Sequence, residues 1–397
     1  MELSLTDNSI KDRLAAIATP AAGARRLKVL HVGKFYPPHM GGIETHLQAL
    51  CGELRKRADV RVTVASDSRA GSRELLDGVD VTRVPTQFTL AAAPICAGMV
   101  ANIRDSGADI VHIHLPNPMA VLAYLASKHR GHLIASYHSD TVRQKVLGAV
   151  FEPFLHAALR RSAAIVAASA NYQHSSPVLA RYQDRCHVIP YGIAVDQFQD
   201  FDSAVVARIR KQYGERLVLA VGRLVYYKGF EYLVRAMTQV NGNLLIVGDG
   251  PLRGKLQDLT TQLGLGEKVH FAGNVPGDLT PYYHAADLFA LPSIARSEAF
   301  GIVQIEAMAA AKPVVNTQLD SGVPYVSLDQ RTGLTVPPAD PDALAAALNR
   351  LLDQPDLRWR LGQAARARAY QEFSLETMTS RMMALYEQVA GLSAIPR

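Results

Sequence analysis

Short apolar segments alternate with helix-type segments along almost the whole chain, and this alternation constrains the fold more than any other feature of the sequence. The first apolar segment, residues 27–32, is followed by a Pro- and Gly-rich loop and a helix-type pattern over 43–57. Because these segments are apolar at most positions, they predict strands buried on both faces, which is typical of parallel sheets covered by helices. In the first half, strands are predicted at 60–65, 79–84, 109–114, 133–137, 164–168 and 187–190, and helices at 94–104, 119–128, 142–161 and after Asn171.

The pattern restarts after Pro190-Tyr191-Gly192, which predicts a domain boundary there. Five further strands are predicted at 217–221, 244–247, 269–271, 287–291 and 313–315, with helices at 344–352, 358–372 and 375–389. The predicted fold is α/β, with two Rossmann-like domains whose parallel sheets face a central cleft, where ligands bind at the carboxyl ends of the strands. The predicted division is a loosely ordered extension (1–26), an N-terminal Rossmann-like domain (27–190), a C-terminal Rossmann-like domain (191–375) and a C-terminal helix (376–397) that packs back on the N-terminal domain.

Composition favours a reduced, soluble, cytoplasmic protein. The three cysteines, Cys51, Cys96 and Cys186, lie far apart and in no metal or redox spacing. No apolar run is long enough to span a bilayer, and the N-terminus lacks the core of a secretion signal. The formal net charge is +6, with the excess in 27–190. Since no dense Lys/Arg run is interleaved with aromatic residues, nucleic acid is disfavoured, whereas an anionic membrane surface and simple solubility both stay open.

Two carboxylates bracket a predicted loop-to-helix turn after the strand at 287–291. Glu298 falls in the loop and Glu306 falls on the helix, so both can face a ligand at the start of that helix. A helix start carries unpaired N–H groups that suit a phosphate, and carboxylates suit hydroxyl groups. A sugar nucleotide has both. The alternative is a capping glutamate followed by a solvated one.

Glycines and cations follow the first predicted strand of each domain. Arg223 and Lys228 leave the strand at 217–221, where they can reach the same cleft and grip a diphosphate. Gly41 and Gly42 follow the strand at 27–32, where backbone can approach a phosphate closely. The alternatives are two solvated cations and a plain helix-entry turn.

Two further motifs are of types found in metal sites and in dinucleotide-binding sites. His112 and His114 alternate on one strand but have no third ligand in the sequence, so they do not predict a metal site. The Gly-rich turn at 248–254 resembles a dinucleotide fingerprint, yet the next strand does not end in the acidic residue that NAD binding requires. No metal and no cofactor is therefore predicted, and the nucleotide-sugar is expected as a co-substrate.

Taken together, four ordered motifs resemble those of the family-4 retaining glycosyltransferases of GT-B fold, over about residues 27–390. They are the Gly41-Gly42 loop, the strand end at His138, the Gly-Arg-x4-Lys-Gly pattern and the Glu-x7-Glu pattern. The resemblance implies that His138, Arg223, Lys228 and Glu298 are catalytic, with His138 near the 6-hydroxyl of the transferred sugar. It further implies donor binding by Gly41, Gly42, Val275, Phe300, Gly301, Ile302 and Glu306, with Val275 at the nucleobase. By the same resemblance, 27–190 is expected to be the acceptor domain and 191–375 the nucleotide-sugar domain.

The activity that the resemblance implies is metal-independent transfer of a sugar, with retention, from a nucleotide-sugar to a hydroxyl group in polysaccharide or glycolipid biosynthesis. The turn at 297–303 and the segment 137–140 resemble users of GDP-mannose, although UDP-sugars fit the same scaffold. A non-catalytic nucleotide-sugar-binding protein and a sugar phosphorylase on the same fold are the alternatives.

The acceptor is expected to be a glycan or a lipid-linked glycan. Residues 141–161 carry apolar residues at helical spacing, with basic residues at both ends. One interpretation is a helix packed on the first sheet. The other is that its basic ends and apolar edge rest on the inner face of an anionic membrane, which makes the protein peripheral there.

Overall fold

Parallel pairing of buried strands organises both halves of the molecule, as the alternation predicted. The computed structural model describes residues 25–39, 41–90, 93–140 and 145–392, with only the backbone for 145–149. Most of the predicted extension at 1–26 therefore lies outside the described residues. The two sheets have eight and six strands, and each is covered by helices on both faces.

The first sheet has the strand order β10-β9-β8-β7-β1-β2-β4-β3. All of its pairs are parallel except β3 with β4, which is antiparallel. The edge strand β3 was not predicted, since its side chains are mostly exposed and carry no apolar run. The strands are β1 (Lys28–Val32), β2 (Asp59–Ala65), β3 (Ser72–Leu76), β4 (Val79–Val84), β7 (Ile110–Leu115), β8 (His132–Tyr137), β9 (Ser162–Ala167) and β10 (Cys186–Val188).

A separate antiparallel hairpin of β5 (Phe88–Leu90) and β6 (Ala93–Ile95) precedes the second helix of this half. The helix predicted at 94–104 is therefore wrong in its first part, because Pro94 lies in β6 and the helix begins at Gly98. The helices of this half are α1 (Gly42–Leu54), α2 (Gly98–Arg104), α3 (Pro118–Ser127), α4 (Lys145–Arg161) and α5 (Ala170–Ser175).

The second sheet is entirely parallel, in the order β13-β12-β11-β14-β15-β16. Its strands are β11 (Leu217–Val221), β12 (Asn243–Val247), β13 (Val269–Gly273), β14 (Leu288–Leu291), β15 (Val314–Thr317) and β16 (Gly333–Val336), the last of which was not predicted. The helices of this half are α6 (Ser203–Tyr213), α7 (Phe230–Ala236), α8 (Arg253–Gln262), α9 (Thr280–Ala285), α10 (Val303–Ala309), α11 (Val323–Val326), α12 (Pro341–Asp353) and α13 (Pro355–Glu372).

The last helix, α14 (Leu375–Val389), leaves the second half and packs beneath the first sheet. Its Met378, Met382 and Tyr386 are buried in the same apolar cluster as Val29 and Val62 of that sheet. The chain therefore crosses between the two halves a second time, close to Gly192, whose backbone N–H points at the Met378 sulfur. The predicted domain limits stay a prediction. No helix in the described part of the chain combines the length and apolarity that a bilayer span needs.

Strand register places a row of histidines on the buried face of the first sheet. His31 of β1 stands opposite His112 of β7, and His114 lies two residues further along the same face. His138 follows β8, and His46 of α1 packs its ring 5.4 Å from that of His138, centroid to centroid. All five histidines are at most 6% exposed.

Burial keeps this row uncharged. It lowers the pKa of His31 to about 3, with His46 as a smaller cause, and the pKa of His46 to about 4. Burial also lowers the pKa values of His112, His114 and His138 well below the usual value for histidine. A buried imidazolium would need a partner of opposite charge. The rings of His31, His112, His114 and His138 are bonded to one another and to hydroxyl groups instead, and Nδ1 of His46 has no partner among the described residues.

We predict that acid destabilises the protein through these histidines. In the unfolded chain histidine titrates near 6.5, so below that pH the unfolded state binds more protons than the folded state. The stabilisation is complete above about pH 6.5 and is lost as the pH falls from there towards the folded pKa values. Each group contributes up to about 1.4 kcal/mol per pH unit to the slope. Urea unfolding at a series of pH values between 7.5 and 4.5 measures it.

The His46→Leu variant removes one of these groups and should flatten the dependence on pH. His132→Leu is the matched control, because His132 is exposed and should leave the slope unchanged. A wild-type free energy of unfolding that is constant between pH 7.5 and 5 would contradict the prediction.

Candidate active site

A buried ion pair joins the loop that follows β11 to the loop after β14. Lys228 Nζ lies 2.5 Å from Glu298 Oε2, and the two side chains are 12% and 10% exposed. Ser293 also donates to the same carboxylate oxygen, at 3.2 Å. We call residues 292–302 the β14–α10 loop. Two of the predicted catalytic residues, Lys228 and Glu298, are thus brought into direct contact.

The backbone holds Lys228 against this loop. Ile294 N–H donates to the Tyr227 carbonyl at 2.8 Å, and the next glycine, Gly229, has φ +67°. A Cβ at Gly229 would collide with the Pro292 carbonyl oxygen. Only glycine combines this left-handed conformation with so close an approach, so the Lys-Gly pair of the motif fixes where the ammonium group enters the cleft.

Glu306 stands in the first turn of α10, beside the ion pair. Its Oε2 accepts a hydrogen bond of 2.5 Å from the Tyr283 hydroxyl. Burial raises the pKa of Glu306, while the bond from Tyr283 and the nearby charge of Lys228 oppose that rise. The sequence predicted Glu306 but gave no signal for Tyr283. A carboxylate held in this way keeps acceptor capacity for hydroxyl groups.

The turn before α10 presents backbone donors. Gly301 has φ +77°, and a Cβ there would lie 2.7 Å from Leu291 Cδ2. Among the described residues, no carbonyl accepts from the N–H groups of Gly301, Ile302 and Val303. The Phe300 ring is buried at 2% exposure and packs edge-on against Tyr191, so any contact of Phe300 with a ligand would be through its backbone.

Two other predicted residues lie apart from the ion pair. Arg223 follows β11 directly, is exposed, and forms no ion pair with any described residue. Its guanidinium is free to meet an anion in the cleft. Val275 is partly buried against the core of the second half, in the loop after β13.

His138 turns its ring inward, away from open cleft. Nδ1 lies 2.6 Å from the Tyr191 hydroxyl and Nε2 lies 3.0 Å from Nδ1 of His114. The cavity beside His138 and Tyr191 has about 10 Å³ open to the centre of a water molecule. That is room for one water and not for a sugar. Both imidazole nitrogens of His138 are already bonded, one to Tyr191 and one to His114.

The predicted glycine loop lies at the start of α1, whose His46 ring is 4.6 Å from that of Tyr191. Gly41 is extended, with φ −175°, and its missing side chain leaves room for the carboxylate of Glu44. A Cβ at Gly42 would meet no described atom within 4 Å. The loop therefore lies on the same side of the first sheet as His138, with open space at Gly42.

A second contact across the cleft was not predicted. Arg296 of the β14–α10 loop lies 3.2 Å from Asp140, two residues beyond His138. The Asp140 carboxylate also accepts from the hydroxyl groups of Tyr137, Tyr172 and Ser176. Arg296 stands over the Tyr172 ring at 5.7 Å. This cluster ties the loop that carries Glu298 to the strand end that carries His138.

The histidine row also supplies the third ligand that the sequence lacked for His112 and His114. The ring nitrogens of His31, His112 and His114, and those of His46, His114 and His138, lie within 4.8 Å of one another. The His114 and His138 rings are inclined by only 10°, with centroids 5.3 Å and facing nitrogens 3.0 Å apart. This is an ordinary hydrogen-bond distance, so a proton shared between the two nitrogens accounts for the contact. The expectation of no metal stays a prediction.

Comparisons with known proteins agree with the motifs. The family model described as glycosyl transferases group 1 matches residues 204–368, and the one described as glycosyltransferase family 4 matches residues 40–197. The O-antigen chain mannosyltransferase C of Escherichia coli is 31% identical over 366 residues, which cover 91% of this chain and 98% of that protein. The D-rhamnosyltransferase WbpZ of Pseudomonas aeruginosa is 32% identical over 353 residues, covering 88% and 92%.

Solved structures share the architecture. HepE of Anabaena, crystallised with UDP, superposes with a TM-score of 0.74 at 22% identity, over 91% of this chain and 100% of that one. The sucrose-phosphate synthase of Thermosynechococcus elongatus gives a TM-score of 0.73 at 23% identity, over 92% and 100%. These likenesses confirm the predicted fold class. The chain therefore belongs to the family-4, group 1 glycosyltransferases and has their GT-B fold.

Proposed function

We propose that the protein transfers a sugar, with retention at the anomeric carbon, from a nucleotide-sugar to a hydroxyl group of a glycan or lipid-linked acceptor. The observation that carries this proposal is the cluster of Lys228, Glu298 and Glu306 beside the unpaired N–H groups of the β14–α10 loop. Cations and N–H groups fit a diphosphate, and the carboxylates fit hydroxyl groups of a sugar and a ribose.

In this mechanism the protein stabilises the leaving diphosphate. Negative charge grows on it as the bond to the sugar breaks, so fixed donors that face it lower the barrier. Lys228 and Arg223 are the cations for this task, and the N–H groups of Gly301 and Ile302 are the dipoles. With these donors in place the reaction needs no metal ion. The departing phosphate oxygen takes the proton of the acceptor hydroxyl on the same face of the sugar.

GDP-mannose is the donor we propose first, in polysaccharide or glycolipid biosynthesis. The E. coli relative is named as a mannosyltransferase, and a further relative, from Mycolicibacterium smegmatis, 31% identical over 381 residues, is named as GDP-mannose-dependent. The Pseudomonas relative is named for rhamnose, so rhamnose is the next candidate for the transferred sugar. A thermal-shift panel of GDP, UDP and their sugars tests the choice. Binding without transfer would instead identify a non-catalytic binding protein, and transfer to free phosphate would identify a phosphorylase.

We predict that Arg223→Ala lowers kcat/KM for the donor by about 10- to 100-fold. This is the effect of losing one charge-assisted bond to phosphate, about 1.5–3 kcal/mol. Lys228→Ala should lose at least as much, and because it leaves Glu298 buried without its partner, its thermal unfolding is measured alongside. Lys255→Ala, on the exposed face of α8, is the matched control. The assays contain EDTA.

Activity that vanishes with EDTA and returns with magnesium or manganese would contradict the metal-independent mechanism. Wild-type kinetics in folded Arg223→Ala and Lys228→Ala would contradict the proposal that these two cations bind the diphosphate.

We predict a division of labour between the two glutamates. Glu298→Gln should weaken binding of the sugar nucleotide by about tenfold, one lost hydrogen bond to a charged group, and leave the nucleoside diphosphate nearly unaffected. Glu306→Gln should weaken both ligands, since its place is at the ribose. Calorimetric titration of each variant with both ligands separates the two roles. Equal losses for the two ligands in Glu298→Gln would overturn the assignment to sugar hydroxyls.

We further propose that the first half rests on an anionic membrane through α4. The apolar side chains predicted along the helix at 142–161 fall into a buried and an exposed set in the described part of α4. Ala158 and Leu159 are buried, and Phe151 and Leu155 pack on the core. Val150 and Phe154 are instead 67% and 46% exposed, and Arg160 and Arg161 are exposed at the end of the helix. Arg143 and the side chain of Lys145, also invoked from the sequence, lie outside the described residues.

Sedimentation with vesicles tests this proposal. Binding should rise with anionic lipid and fall with salt, and Arg160→Gln and Arg161→Gln should each cost about 1 kcal/mol, or about fivefold in partition. Val150→Ser and Phe154→Ser should weaken binding to the same vesicles. Leu75→Ser is the control, because Leu75 is 75% exposed on β3, at the far edge of the sheet. Equal partition onto neutral and anionic vesicles, or none onto either, would favour a soluble acceptor.

A further inference from the structure

Four of the five buried histidines form part of one chain of hydrogen bonds that reaches from the cleft to the last helix. It runs from Tyr191 to His138 (2.6 Å), His114 (3.0 Å) and His31 (3.0 Å). From His31 it passes to the Tyr386 hydroxyl (3.4 Å) and on to His112 (2.6 Å), which ends at Ser136 (2.8 Å). The His31 and His138 rings lie at 27° and 10° to the His114 ring between them, so their nitrogens face one another nearly in plane.

The members of this chain are uncharged, and that makes their orientations depend on one another. A neutral imidazole has one donor and one acceptor nitrogen, and a hydroxyl group has one proton to donate. Burial lowers the pKa of every histidine in the chain, and in the described residues no carboxylate bonds to any of them. Once one ring has chosen its tautomer, its neighbour must present the opposite group, so all the bonds run in the same direction.

The lengths of two of these hydrogen bonds indicate the direction in which the protons are donated along the chain. Two of the three bonds between a tyrosine and a histidine, Tyr191 to His138 and Tyr386 to His112, are 2.6 Å long, which is short for an N–H donor to oxygen and ordinary for a hydroxyl donor. The third, between His31 and Tyr386, is 3.4 Å long. Tyr191 therefore donates to Nδ1 of His138, and Tyr386 donates to Nδ1 of His112. In this direction His138 carries its proton on Nε2 and donates to His114, and the remaining bonds follow without conflict.

The cleft end of the chain touches the donor side of the site. The Tyr191 ring packs edge-on against Phe300, with centroids 4.9 Å apart, and Phe300 precedes the N–H groups of Gly301 and Ile302. Tyr191 and Ser136, the two ends of the chain, line the same small cavity with His46. Tyr386 belongs to α14 and lies in a different apolar cluster from Phe300.

We propose that this chain is a positioning element: it holds His138 as the Nε2–H tautomer and, through the bond from Tyr191, keeps the Tyr191 ring against Phe300 for donor binding. Tyr386 is then a positioning residue that acts on the donor from a distance. Its hydroxyl group accepts from His31 and donates to His112, and this fixes the direction of every bond in the chain. The effect on donor binding rests on the proposed function, whereas the tautomer of His138 does not.

The test uses Tyr386→Phe in the full-length protein. Nitrogen-15 NMR of histidine-labelled protein reads the tautomer of His138, and calorimetry reads the affinity for GDP-mannose and for the best binder of the nucleotide-sugar panel. Tyr370→Phe is the matched control: its hydroxyl also donates one hydrogen bond, to the Val195 carbonyl at 3.0 Å, and it lies outside the chain. His114→Phe interrupts the chain in the middle, and His114→Gln restores one donor and one acceptor there.

We expect wild-type His138 to be purely Nε2–H and to become a mixture of tautomers in Tyr386→Phe and His114→Phe. Donor affinity should fall by about two- to tenfold in these variants, the effect of one lost hydrogen bond. Tyr370→Phe should leave both readouts unchanged, and His114→Gln should recover part of each. A wild-type His138 protonated on Nδ1, or a tautomer unaltered in Tyr386→Phe, would overturn the proposal, as would equal affinity losses in Tyr386→Phe and Tyr370→Phe.

The two readouts separate this proposal from the proposed function. Should the wild type bind no nucleotide-sugar, the proposed function fails, and the NMR spectra alone then support or refute the ordering of the chain by Tyr386. Should the wild type bind donor while Tyr386→Phe leaves both tautomer and affinity unchanged, the glycosyltransferase assignment stands and the positioning role is refuted.

Discussion

Contacts between the carboxyl ends of the two parallel sheets make the site, and most of its other features depend on them. Asp140 meets Arg296 at 3.2 Å, and Tyr191 meets Phe300. The ion pair is about one-quarter exposed on the Asp140 side and about one-third on the Arg296 side, so its attraction is only partly screened by water. Because Arg296 lies two residues before Glu298, this pair sets the distance between the strand end of the first sheet and the ion pair of the second.

The two sides of the cleft solve the problem of burying polar groups in opposite ways. On the second side, Lys228 and Glu298 are charged, paired and almost fully enclosed, which costs desolvation that the pairing offsets. On the first side the histidine row avoids that cost by remaining neutral and sharing protons along hydrogen bonds.

Much of this could be predicted from sequence because local patterns carry it. The run at 217–221 is apolar at every position and forms β11 at those bounds, and the Lys228 and Glu298 motifs lie in short loops beside predictable strands. The exposed strand β3 has no such signal. The histidine row was not predictable either, since it depends on the register that sets His31 against His112 and on Tyr386, which is distant in sequence. Nor does any local pattern tie Arg296 to Asp140, because that contact exists only between folded domains.

The return of α14 to the first sheet has a consequence for biosynthesis. Met382 and Tyr386 complete an apolar cluster whose other members, such as Val29 and Val62, are made at the beginning of the chain. A ribosome adds roughly 5–20 residues per second, so about 10–40 s separate the end of the first domain near residue 190 from the synthesis of Tyr386. During that interval part of the nascent sheet, together with its uncharged histidines, lacks its last covering helix. The N-terminal domain is thus the first to be synthesised and the last to be completed. Until α14 is made, its uncovered apolar surface is available for a chaperone to bind.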